Sequence, residues 1–188
     1  MKLCASITCC LDEEEVAKVI DRVAVALLMA SRSRIKDLVT RDVEASRNAL
    51  TKVLGGVRAL RNRVKNIRSL AEIDDIETVV NTFVNTLNRL VEVRNLLQRM
   101  KEVAEDSNEG DVATMLGEAM AFVSGLTIAI SAVALHSIHE LKKLSKDDCG
   151  KLASAIGTAI FAALLDAETE VVRDALSKCF PATYHRRS

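Results

Sequence analysis

The stretch RALRNRVKNIRSL, residues 58–70, holds five basic side chains and no acidic one. From Ala45 to Ala71 there are seven basic residues, again without an acidic one. Guanidinium and ammonium groups repeated along a rigid element suit one kind of chemistry. They neutralise phosphates and release counterions, which gives a salt-sensitive affinity. At 100° per residue, Arg58, Arg61, Lys65 and Arg68 fall within about 80° of arc, and Arg47 joins the same stripe. Arg63 and Lys52 fall on the other side. The candidate anion-binding set is therefore Arg47, Arg58, Arg61, Lys65 and Arg68. The stretch has no aromatic side chain on which a base could stack. A competing expectation is internal pairing. Asp12, Glu13, Glu14 and Glu15 open one predicted helix, and Glu72, Asp74, Asp75 and Glu77 open another. In antiparallel neighbours both groups approach the end of the basic helix, where charge of this sign also suits the helix dipoles.

Other chemistry is sparsely represented. His136, His139 and Glu140 share one turn, but a bundle metal site needs Glu-x-x-His on two helices and further inward carboxylates. A zincin needs H-E-x-x-H, which is absent. Cys4, Cys9 and Cys10 cluster, Cys149 and Cys179 lie far along the chain, and no C-x-x-C pair occurs. No Gly-rich phosphate loop and no G-x-S-x-G elbow is present. His185 lies in the basic tail YHRRS. The sequence thus predicts no catalytic residue, no metal, no cofactor and no small-molecule substrate. It points to a non-enzymatic protein.

Composition indicates the elements that must position the stripe. Of 188 residues, 49% are hydrophobic and only 3% aromatic, with one proline and seven glycines. Such a chain builds an aliphatic core from long helices and disfavours a sheet. Charge balances at 26 basic and 26 acidic residues, so no polyelectrolyte results. Val43, Leu50, Val57 and Val64 repeat every seven residues, as do Val39, Ser46, Val53, Leu60 and Ile67. Together they form a coiled-coil-like a/d seam. Ile76, Phe83, Leu90 and Leu97 repeat likewise, supported by Val79, Val93 and Met100. Val16, Ile20, Val23 and Leu27 follow a different phase, which predicts a turn near residues 31–34.

Ser69 and Glu72 form a capping box, and Ser145 is a predicted N-cap. EDSNEGD (105–111) and SKDDCG (145–150) read as loops. Five helices are predicted, over 12–31, 34–68, 70–105, 111–144 and 146–179, with the Gly55-Gly56 pair as a place for a kink. Short connections make neighbours antiparallel, which predicts an elongated up-down all-α bundle in a single domain. Its parts are an N-terminal segment (1–11), amphipathic helices (12–105), an apolar hairpin (111–179) and a basic tail (180–188). An up-down order also places Cys4, Cys9 and Cys10 nearer Cys149 than Cys179.

Residues 119–139 contain no charged side chain over 21 positions, enough to span a bilayer. Residues 152–165 are also uncharged. Both stretches are rich in small residues: Ala121, Gly125 and Ala129; Gly150, Ser154, Thr158 and Ala162; Ala155, Ala159 and Ala163. At this spacing two helix backbones can approach closely. The main expectation is a buried central hairpin, and the alternative is a membrane-associated bundle with an apolar hairpin at 119–165. No secretory signal is expected in MKLCASITCC, because LDEEE follows at once. The expected location is cytoplasmic. The expected role is a helical assembly or interaction module. Its expected partners are further copies of the chain or subunits of a larger complex, and a nucleic-acid backbone or acidic partner on the basic stripe.

Overall fold

A computed structural model describes residues 13–63, 75–141 and 143–166. The described residues form five helices and no strand: α1 (Glu13–Arg32), α2 (Lys36–Arg63), α3 (Ile76–Asp106), α4 (Gly110–Glu140) and α5 (Lys146–Leu164). The protein is an all-α bundle. Helices α1 to α4 pack in sequence order, and α1 also packs on α4, which closes a four-helix ring. Helix α5 packs on α3 and α4. At 1.5 Å per residue the 31 residues of α3 and of α4 extend about 46 Å.

The connections explain the up-down order. Ser33 to Ile35 make the first turn, where the Ser33 hydroxyl donates to the Ala30 carbonyl at 2.8 Å. Helix α3 ends in a Schellman motif. The Glu109 amide reaches back to the Ala104 carbonyl at 2.8 Å, and the Asn108 amide to Glu105 at 3.1 Å. Asn108 adopts φ 56°, a left-handed conformation that asparagine tolerates better than most residues. Arg34 and Glu109, one from each connection, pair at 3.3 Å, so both turns lie at the same pole. Ser145 caps α5 as its sequence position predicts, accepting from the Asp148 amide at 3.1 Å.

The heptad positions are buried as their spacing implies. Val39, Val43, Ser46, Leu50, Val53, Val57 and Leu60 line the inner face of α2; Val64 and Ile67 lie outside the described residues. Phe83, Leu90 and Leu97 do the same for α3, with Val79, Val93 and Met100. One continuous cluster of buried side chains draws on all five helices.

Four expectations are corrected. The Gly55-Gly56 pair does not interrupt α2, which runs unbroken to Arg63. Helix α3 starts at Ile76 rather than near residue 70. Asp75 has a non-helical backbone (φ −125°, ψ 72°), and its carboxylate accepts from the Thr78 amide at 3.0 Å. Asp75 is thus the N-cap of α3, while Ser69 and Glu72 lie outside the described residues. Helix α4 stops at Glu140, four residues short of expectation. The 119–165 hairpin is only half interior. Helix α4 is buried on nearly every side, whereas α5 buries Leu152, Ala155, Ile156, Ala159, Ala162 and Ala163 and leaves its opposite face open. Residues 167–179 of the predicted fifth helix lie outside the described residues.

Candidate nucleic-acid interface

The basic stripe follows from the rotation of α2. Its core residues point inward, so Arg47, Arg58 and Arg61 emerge on the edge toward α1, all exposed. Lys52 and Arg63 emerge toward α3. Lys65 and Arg68 lie outside the described residues. The structure therefore brings together three of the five candidate residues on one edge of one helix.

Glu13, the first residue of α1, sits against that edge. Its carboxylate takes a hydrogen bond from Arg58 Nε and lies 3.7 Å from an Arg61 terminal nitrogen. Arg63 pairs with the Asp75 cap at 3.7 Å. The acidic openings of α1 and α3 do meet the basic end of α2, as the pairing expectation held. Two arginines share one Glu13 carboxylate, and Glu14 and Glu15 engage Lys18 at 3.4 and 2.9 Å. Arg47 forms no ion pair among the described residues. Arg58 and Arg61 retain more than half of their side-chain exposure, so each pairing is worth about 0–1 kcal/mol.

Three charged groups among the described residues shift for local reasons, and one of them is Lys151, whose ammonium is raised by its hydrogen bond to Asp147. The Thr78 hydroxyl and amide hold the Asp75 carboxyl below its usual range. Hydrogen bonds from Lys18 to Glu15 and Glu14 hold its ammonium above the usual range.

Sequence reading missed an enclosed ion pair in the bundle. Arg94 of α3 makes a two-pronged contact with Asp166, just beyond α5, at 3.2 and 3.3 Å. Their side chains are only 11% and 12% exposed. Ser124 of α4 donates to the same carboxylate at 2.5 Å. This clasp joins three elements and fixes the end of α5. One signal for it exists in sequence: Asp166 is the first charge after the uncharged run 152–165, directly beside apolar surface. Its partner lies 72 residues away and could not be read.

His136 and His139 occur near the end of α4, and among the described residues no group of three or more His, Cys, Asp or Glu side chains is placed to hold a metal ion. Cys149 carries a free, half-buried thiol in the first turns of α5, at the pole where α1 begins. Cys4, Cys9, Cys10 and Cys179 lie outside the described residues. Arg22 of α1 stacks over the Phe122 ring of α4 at 5.7 Å from its centre.

Fold and stripe together define a helical bundle with one charge-biased outer edge. Compared with protein-family models, curated proteins and solved structures, the chain matches none of them.

Proposed function

We propose that this bundle is a non-enzymatic interaction module, a subunit of a larger assembly, whose α2 edge binds the phosphate backbone of a nucleic acid. The observation that supports this reading is the line Arg47, Arg58 and Arg61, exposed on one edge of α2, where among the described residues Arg58 and Arg61 share the Glu13 carboxylate. Burial of α4 favours this reading over a membrane-active one. That helix is long and apolar enough to cross a bilayer, yet 83% of its most apolar window is covered by the rest of the protein.

The test is binding of the full chain to duplex and single-stranded oligonucleotides over a salt series. Arg47→Gln should weaken binding alike for all sequences and reduce the salt slope by about 0.9 on duplex DNA, the value of one lost phosphate contact. Glu13→Gln should strengthen binding, because it frees Arg58 and Arg61. Absence of binding at low salt, or an Arg47→Gln variant that binds as the parent does, refutes the reading. Binding to polyglutamate but to neither oligonucleotide would point to an acidic protein partner instead.

A further inference from the structure

Helix α5 carries an open face that the bundle does not use. At 100° per residue its buried side chains centre opposite Gly150, Ser154, Gly157 and Phe161, all exposed, and Leu164 continues that line. The spacing is four, three, four, three, which is the seam spacing of paired helices. From Leu152 to Leu165 the helix has no charged residue on either side. At the far end of the seam Phe161 is 69% exposed, Leu164 52% and Leu165 61%.

The glycines are the second, independent observation. Each glycine inside a helix costs about 1 kcal/mol relative to alanine. A side-chain carbon added at Gly150 or Gly157 would meet nothing within 4 Å, so the isolated chain draws no packing benefit from either. Gly56 of α2, by contrast, is required by the neighbouring Thr86.

We propose that two copies of this chain associate through this face, with their α5 helices antiparallel. The seam is complementary to itself only in that direction. Its first half is small (Gly150, Ser154, Gly157) and its second half is large (Phe161, Leu164). Antiparallel pairing sets Phe161 of each copy over Gly157 of the other, and Leu164 over Ser154. The missing side chain at Gly157 is then the hole that receives the ring. An uncharged face suits a second copy of itself, since no like charges meet. Phe161 alone offers roughly 140 Å² to a partner, its 69% exposure applied to a typical ~200 Å². Leu164 at 52% and Leu165 at 61% exposure add further apolar area from each copy.

The experiment is sedimentation of the full chain across a concentration series, with thermal melting as a control on folding. The parent should reach twice its 20.5 kDa chain mass as concentration rises. Gly157→Phe and Phe161→Gly should each weaken self-association at least tenfold. Both positions face outward, so each variant should still fold. The double variant Gly157→Phe/Phe161→Gly exchanges knob and hole and should restore dimers in the antiparallel arrangement alone. A parent that stays monomeric up to about 1 mM overturns the proposal. So do single variants that associate like the parent. Single variants that dissociate while the double variant fails to recover overturn the antiparallel register.

Discussion

Replacing Gly56 with alanine should destabilise the bundle, whereas the same change at Gly55 should stabilise it. Both residues sit inside α2, where alanine is favoured over glycine by about 1 kcal/mol. At Gly55 the added carbon meets nothing within 4 Å, so that gain is kept. At Gly56 it would intrude on the Thr86 hydroxyl of α3, with Thr86 Cβ and Cγ2 at 3.4 and 3.6 Å. Thr86 is buried, and its hydroxyl donates to the Thr82 carbonyl at 2.7 Å. Turning Thr86 aside would sacrifice that bond inside the core, at about 1–3 kcal/mol. Keeping it would push α2 from α3, an overpacking cost of similar size, about 1–3 kcal/mol. After the helix gain is subtracted, Gly56→Ala should cost up to about 2 kcal/mol. At about 2–4 °C per kcal/mol for a chain of this size, the melting midpoint should fall by up to about 8 °C. Gly55→Ala should raise it by up to about 4 °C. Calorimetry of both variants makes the comparison. Thr86→Ala removes the obstructing hydroxyl, so Gly56→Ala should cost much less in that background. A Gly56→Ala protein that melts above the parent, as Gly55→Ala should, refutes the close α2–α3 approach.

The Arg94–Asp166 clasp yields a sharper loss. Asp166→Ala strands an enclosed guanidinium and should cost about 3 kcal/mol in urea unfolding, near the lower end for a broken buried pair; adding Arg94→Met should recover much of it. A single variant as stable as the parent would show that the clasp contributes nothing. The Asp75 cap adds a pH dependence. Its folded-state pKa is lowered below the ordinary carboxylate value, so its contribution is full above that ordinary value and is lost as pH falls through the folded value. Asp75→Asn keeps a capping side chain, so the stability gap between parent and variant should shrink on acidification from pH 5 toward pH 2. A gap that is constant over that range would remove the cap from the account.

The sequence by itself determined the helices, their inner faces and most of their ends. Apolar residues recurring at three- and four-residue intervals can bury a continuous stripe only as helices, which is why Val43, Leu50, Val57, Phe83, Leu90 and Leu97 are buried where their spacing put them. The turn at residues 33–35 and the Ser145 cap are local chemistry and equally legible. The basic stripe could be drawn on a wheel, but its neighbour could not. That Glu13 lies against Arg58 and Arg61 depends on how far α1 slides along α2, an offset set by the whole core. Helix α5 shows the limit most clearly. Its small residues run nearly all round it, so hydropathy does not distinguish the side facing α3 and α4 from the side facing solvent. Only packing decides that Ala155, Ala159 and Ala163 turn inward while Gly157 and Phe161 turn outward. The meetings of Arg94 with Asp166 and of Gly56 with Thr86 were decided in the same way. Each joins residues remote in the chain, and both require the helices to be rotated and set at one depth.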